Sequence, residues 1–308
     1  MAHVLRKAQP ASLDRLPASS FFLVSAVFHY LGPALAVLLF SHVPVLGMAW
    51  LRIVTAAVVF AVWRRPWRLF RGLGRSRRWL LIQLGVLLAA MNTLFYLALA
   101  RLPLATVGAI EFLGTILLAA AAARSRRNVL ALALTTIGVA AITEIQLAGQ
   151  PLGFVLAFGN CLLFMRYVVL GHRIASSPDG IGQLAAAMLV AAVVVTPYGL
   201  GAALTAFTHP VLLVAGAGVG VCSSVIPYVT DQLAMARLPR GTYALMLALL
   251  PMFATIIGAV VLRQVPTAPE LAGIGLVIAG VAVHQAPREK PADDPAEIPA
   301  GNPVARRR

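Results

Sequence analysis

The heptapeptide LALARLP at residues 97–103 recurs as LAMARLP at residues 233–239, each time at the junction between two long apolar runs. Further along each half, the tripeptide Gly-Val-Ala appears at 138–140 and again at 280–282. Repetition of this kind predicts two copies of one structural unit. If each copy contains five membrane spans, an odd number, the second copy lies upside down in the membrane relative to the first.

The composition supports a membrane protein, since the 308-residue chain is 60% apolar and only 11% charged. A soluble domain could not cover its surface with so few polar residues. Apolar stretches of about 20 residues, enough for a helix to cross the hydrocarbon core, mark the spans. The stretches cover residues 19–40, 44–63, 79–100, 103–123, 129–147, 151–171, 181–204, 210–236, 240–262 and 268–286.

These stretches predict an all-α integral membrane protein with ten transmembrane helices, arranged as a five-plus-five inverted repeat. Small-residue helix faces pack between chains as readily as within one chain, so a homodimer also stays open. The predicted domains are a cytoplasmic N-terminal tail at 1–18, a first five-helix repeat at 19–147, a second five-helix repeat at 151–286 and a disordered cytoplasmic C-terminal tail at 287–308.

The basic residues indicate the orientation of the spans. Of the 25 Lys and Arg residues, almost all fall in segments that this topology places on one side, with the densest group between residues 64 and 78. Because cytoplasmic segments are enriched in Lys and Arg, we predict that both termini are cytoplasmic. Basic residues in short loops between spans favour contact with anionic membrane lipids and exclude a nucleic-acid partner.

No motif in the chain indicates an enzyme or a cofactor site. Cys161 and Cys222 both lie within apolar spans and have no nearby Cys or His at metal-ligand spacing. Ser223 and Ser224 have no His and carboxylate at the spacing of a catalytic triad. We therefore expect no catalytic residue, no metal and no cofactor.

Charged residues within the spans are the candidate functional residues, because a charge in the membrane interior is costly and usually has a partner. The helical rise of about 1.5 Å per residue places Arg52, Glu111 and His29 at a similar depth, toward the outer half of the membrane. One interpretation is a structural ion pair between Arg52 and Glu111. The other is a site for a zwitterion, in which Arg52 presents its fork to a carboxylate and Glu111 accepts an ammonium group.

Arg166 and Asp231 form a second charged level, nearer the predicted cytoplasmic face. An ion pair between them, with a structural or gating role, is the favoured interpretation, and participation in substrate or proton movement is the alternative. The predicted coupling or gating residues are thus Glu111, Asp231 and Arg166.

Several motifs resemble one known family. They are Leu51-Arg52, the run RRPW at 64–67, MNTLFY at 91–96, Leu102-Pro103, AIEF at 109–112, and IPY at 226–228 followed by Asp231. With the ten predicted spans, these motifs resemble the EamA-type branch of the drug/metabolite transporter superfamily, and within it the threonine/homoserine exporter group. The resemblance covers residues 20 to 286.

The resemblance implies a multi-pass secondary transporter of the bacterial cytoplasmic membrane that exports amino acids such as threonine or homoserine. Protons are the expected coupling ion. Carried over by position, Arg52, Asn92, Tyr96 and Glu111 line the central cavity, and His29 joins them by its depth. The chain departs from the family pattern in the ninth helix, where Leu250-Pro251 and Arg263-Gln264 replace the Glu-Pro and Gly-Glu that are common there.

Two other functions stay open at this point. An apolar cavity with few charges also suits an exporter of lipophilic drugs or cations. A non-transporting membrane scaffold or sensor would account for the spans, although it would not explain charges at a common depth or an inverted repeat.

Overall fold

The computed structural model describes residues 17–122, 150–175, 179–238 and 250–283, together with 125–127, 129–131, 133–134, 136–138, 177, 243 and 247. These residues form helices and connecting turns, with no strand among them. The helices are α1 Ala18–Leu39, α2 Val45–Arg64, α3 Pro66–Gly72, α4 Arg75–Leu99, α5 Leu104–Ala122, α6 Pro151–Ala175, α7 Gly180–Phe207, α8 Pro210–Arg237, α9 Leu250–Leu262 and α10 Ala268–Val283.

Six of these helices, α1, α2, α4, α6, α7 and α8, are long and apolar enough to cross a membrane. Their bounds differ from the predicted spans by only a few residues. The count of ten spans stays a prediction, because much of the stretches at 129–147 and 240–249 lies outside the described residues. Except for residues 17 and 18, the two predicted tails also lie outside them.

Local sequence explains where several helices begin and end. Proline stands at the first helical position of α3, α6 and α8, where its missing N–H costs no hydrogen bond. Arg65 adopts a left-handed conformation with φ of 47° and separates α2 from α3. Asp179 caps α7 by accepting a hydrogen bond from the Gly182 N–H.

The helices of the two predicted halves pack mainly against each other. Helix α2 packs extensively against α7, and α5 contacts α9. In the predicted repeat, α1, α2, α4 and α5 correspond to α6, α7, α8 and α9. When corresponding helices are exchanged, each of the remaining large contacts becomes another one. The α4–α6 contact becomes α8–α1, the α4–α7 contact becomes α8–α2, and the α5–α6 contact becomes α9–α1. The core therefore lies along the boundary between the halves.

Helix α8 contains a π-helical turn, Val221–Val225, near its middle. Two glycines allow α1 and α2 to approach this part of α8 closely. A Cβ atom on Gly32 of α1 would overlap Ser223, and one on Gly220 would lie 2.7 Å from the Thr55 Cβ of α2. These approaches bring the π-helical turn against both helices at the centre of the fold.

Candidate functional site

Arg52 on α2 is a buried charged group, with 3% of its surface exposed. Its Nε donates a hydrogen bond to Ser224 Oγ at 2.9 Å, and its Nη2 donates to the Ser223 carbonyl oxygen at 2.7 Å. Its guanidinium carbon lies 5.1 Å from the centroid of the Tyr96 ring. The remaining nitrogen, Nη1, is buried and has no hydrogen-bond partner. We call Arg52, Tyr96, Ser223 and Ser224 the arginine cluster.

Tyr96 and Asn92, both predicted as cavity residues, lie one turn apart on α4 and are buried. The Tyr96 hydroxyl lies 3.4 Å from Ser223 Oγ. The Asn92 amide donates to the Leu88 carbonyl at 2.7 Å and to the Tyr228 hydroxyl at 3.0 Å. Asn92 therefore connects α4 to α8 next to the arginine cluster.

Glu111 on α5 is also buried, with 3% of its surface exposed. Asn160 on α6 donates a hydrogen bond from Nδ2 to Glu111 Oε1 at 3.0 Å, and His29 Nε2 on α1 lies 3.6 Å from Oε2. Glu111 Oε2 and Asn160 Oδ1 are both buried without a hydrogen bond. We call His29, Glu111 and Asn160 the glutamate cluster.

Arg52 and Glu111 do not form the ion pair that was one of the two interpretations of these charges. Arg52 is bound by the serines of α8, whereas Glu111 contacts Asn160 and His29. The Nε N–H and one Nη2 N–H of Arg52 bind α8, which leaves Nη1 and the second Nη2 N–H for a ligand. Tyr228 is within electrostatic range of both groups.

The predicted ion pair between Arg166 and Asp231 is wrong. Asp231 on α8 is buried and accepts a hydrogen bond from Ser25 Oγ of α1 at 2.6 Å, with Tyr243 as a second partner. Arg166 lies on the exposed face of α6. Asp231 is instead within electrostatic range of His29, and so belongs near the glutamate cluster.

Sequence reasoning missed four polar residues of this core: Asn160, Ser223, Ser224 and Tyr228. Each lies in an apolar span, where a polar side chain needs a partner, and that signal could have identified them. Ser223 and Ser224 were considered only as nucleophiles, although both are fully buried. Among the described residues, no group of three or more His, Cys, Asp or Glu could hold a metal ion.

Comparisons with known proteins agree with a transporter. Residues 151–284 match the EamA-like transporter family. The chain is 28% identical over 279 residues to the threonine/homoserine exporter RhtA of Escherichia coli K12, covering 88% of this chain and 92% of that protein. It is likewise 28% identical over 273 residues to RhtA of Salmonella typhimurium LT2, covering 85% and 90%. These matches confirm the resemblance that the sequence motifs indicated.

The fold also resembles a crystal structure that is described only as "Crystal structure of protein". The two share 22% sequence identity with a TM-score of 0.55, and the match covers 89% of this chain and all of the other. This likeness concerns the fold alone.

Proposed function

Because residues 151–284 match the EamA-like transporter family and the chain is similar to threonine/homoserine exporters, we propose that it exports small zwitterionic amino acids of the threonine and homoserine type. The observation that carries the proposal is a pair of buried atoms of opposite type that make no hydrogen bond among the described residues, although His29 Nε2 lies 3.6 Å from the second of them. Arg52 Nη1 can only donate hydrogen bonds, and Glu111 Oε2 accepts them when the carboxylate is ionised. Both belong to one helical core that spans the two predicted halves.

The donor end is suited to a carboxylate. A buried guanidinium nitrogen without a partner costs free energy, and a ligand carboxylate would supply the missing acceptor together with a compensating charge. Ser224, the Ser223 carbonyl and Tyr96 restrain the other parts of the guanidinium. The free nitrogen is thus held ready before a ligand arrives, which lowers the entropy cost of binding.

The acceptor end is suited to an ammonium group. Glu111 Oε2 and Asn160 Oδ1 make no hydrogen bond among the described residues, and the two side chains are already joined through the Asn160 amide N–H. An ammonium group has three donors and a positive charge, so it would satisfy both oxygens. A lipophilic cation could reach Glu111 but would leave Arg52 Nη1 unsatisfied, and this favours an amino acid over a drug.

Proton coupling follows from competition at Glu111. The carboxylate can hold a substrate ammonium or a proton, and His29 Nε2 lies 3.6 Å from its Oε2 atom. If only one occupant binds at a time, entry of a proton on one side of the membrane promotes release of the amino acid there. Such mutual exclusion is sufficient for exchange of substrate against protons.

Alternating access requires two halves that rock about their common site. The interchangeable pairs of interhelical contacts support the inverted repeat, because a repeat would produce each cross-half contact twice. Ten spans, with both termini in the cytoplasm, complete the proposed arrangement in the cytoplasmic membrane. Arg52 binds across from α2 to α8, and Glu111 from α5 to α6, so rocking would alter both ends of the site.

The test is transport by the purified protein in liposomes under an imposed pH gradient, with radiolabelled threonine and homoserine beside a cationic dye. We expect gradient-driven movement of the amino acids, loss of most of it in Glu111→Gln, and little change in Asp179→Asn. The latter is a matched control, since Asp179 is partly exposed and pairs with Arg64 away from the two clusters. Movement of the dye alone would indicate a drug exporter, and movement of neither would favour the scaffold.

A further inference from the structure

We infer that the π-helical turn Val221–Val225 is part of the substrate site: Ser224 positions Arg52, and the Ser223 hydroxyl is a second, uncharged ligand for the substrate carboxylate. The inference rests on the proposed function and names how one end of that site is built. It assigns a specific role to two serines that have no catalytic partners.

The first step is the way in which the turn holds Arg52. In the π-helical turn, the Ile226 N–H bonds to the Val221 carbonyl, five residues back. Such a turn departs from the regular pattern of an α-helix and is often found at functional sites. Here it presents the Ser223 carbonyl and the Ser224 hydroxyl to Arg52, which binds both. The turn therefore fixes the direction of the guanidinium.

Part of the Arg52 guanidinium remains available to a ligand. With Nε and one N–H of Nη2 already engaged, Arg52 offers Nη1 and the second N–H of Nη2 to an occupant. The two oxygens of a carboxylate accept about four hydrogen bonds, so they can take a further donor beside the guanidinium. Ser223 Oγ lies 3.4 Å from the Tyr96 hydroxyl, a long separation for two hydroxyls, so the contact between them is weak. The Ser223 hydroxyl can turn to the carboxylate at little cost.

The third step is the rigidity of this part of α8. Gly32 of α1 fits directly against Ser223, and Gly220 lies against α2, where an added Cβ would be 3.0 Å from the Arg52 carbonyl oxygen. Ser223 and Ser224 are fully buried. Packing from both sides keeps the serines in register with Arg52, as precise recognition requires.

The experiment compares threonine with threoninol, the analogue that lacks the carboxylate, in the liposome assay. We expect Ser224→Ala and Ser223→Ala each to raise the threonine KM about tenfold, because each loses one hydrogen bond on the carboxylate-binding side, to a charged group. The maximal rate should change less. The inhibition constant of threoninol should change less than about twofold, because threoninol has no carboxylate to bind at this end of the site.

The matched control is Cys222→Ala, which alters the same π-helical turn at a half-buried position that is not bonded to Arg52. This variant should leave both the threonine KM and the inhibition by threoninol unchanged. If both serine variants weakened the binding of threonine and of threoninol equally, or weakened the binding of neither, the inference would be overturned. Amino-acid export would remain intact. Absence of threonine transport by the unaltered protein would instead overturn the proposed function and the inference with it.

Discussion

Arg52 and Arg166 have the same position in the sequence pattern, a single arginine inside a long apolar span, but opposite positions in the fold. Arg52 is buried against the π-helical turn of α8. Arg166 lies on an exposed face of α6, next to Leu162, which is 67% exposed. In a bilayer, an outward-facing arginine can extend its aliphatic chain until the charge reaches the polar interface.

A charge within a span therefore indicates function only when packing prevents it from reaching water. Arg52 has no route to the interface, and its cost is offset by fixed partners and by whatever binds Nη1. Arg166 needs no ligand to explain it. The remaining predictions test this distinction between interior and outward-facing positions.

The largest expected effect is that of Arg52→Gln, which removes the only charged donor of the arginine cluster. Threonine transport should fall by about a hundredfold or more, since a buried charge-assisted hydrogen bond to the substrate is lost and other polar groups are left unpaired. Arg166→Gln, the matched change on α6, should alter the rate less than about twofold. Initial rates in liposomes, normalised to the amount of inserted protein, measure both.

An equal loss of threonine transport in Arg52→Gln and Arg166→Gln would contradict the distinction between interior and outward-facing positions. A loss in Arg52→Gln that is accompanied by a large fall in thermal stability would indicate that Arg52 acts through folding, so the melting temperature of each variant in detergent is the necessary control.

Two glycines allow the interior and outward-facing positions to be compared without a charged side chain. Gly32→Ala places a Cβ atom against the Ser223 backbone, 2.6 Å from its nitrogen and 2.7 Å from its Cα. Overpacking of this kind costs about 1–3 kcal/mol in the free energy of unfolding. Gly218→Ala meets nothing within 4 Å and should raise it by about 0.5–1 kcal/mol, because alanine is more favourable than glycine inside a helix.

Unfolding of the two glycine variants in mixed micelles gives this comparison directly. If Gly32→Ala were as stable as Gly218→Ala, α1 and α8 would not approach as closely as the structure indicates, and the rigidity argued for Ser223 would be lost.

The spans could be read from the sequence because a membrane helix depends on one local property, a run of apolar residues of sufficient length. The bounds of α1, α2 and α8 follow from it closely. Likewise Arg52, Glu111 and His29 could be selected because charged residues in spans are few, whereas Asn92 and Tyr96 were carried over from the family resemblance.

The partners of these groups could not be read in the same way. Arg52 and Ser224 are 172 residues apart, and Glu111 and Asn160 are 49 apart, so their contacts depend on how whole helices rotate against each other. Counting residues from a helix end gives depth but not the direction of a side chain. For that reason the ion pair predicted between Arg166 and Asp231 was wrong, and the Arg52–Glu111 pair, one of two interpretations, does not form. The π-helical turn, which rotates the serines of α8, was not anticipated.

The smallest effect is expected where charges meet water. Arg64 Nη2 and Asp179 Oδ1 form an ion pair at 3.1 Å, with 29% and 41% of the two side chains exposed. Solvent screens such a pair, and a double-mutant cycle of Arg64→Gln with Asp179→Asn should give a coupling of about 0.2–1 kcal/mol that decreases with added salt.

Asp179 also accepts the hydrogen bond from Gly182 that begins α7, and Asn can accept it as well. Asp179→Asn therefore reports the ion pair alone, whereas Asp179→Ala should cost about 1 kcal/mol more through loss of the helix cap. If the coupling from the cycle instead exceeded about 2 kcal/mol and persisted in salt, this surface pair would behave like a buried one. The contrast between interior and outward-facing charges would then need a cause other than access to water.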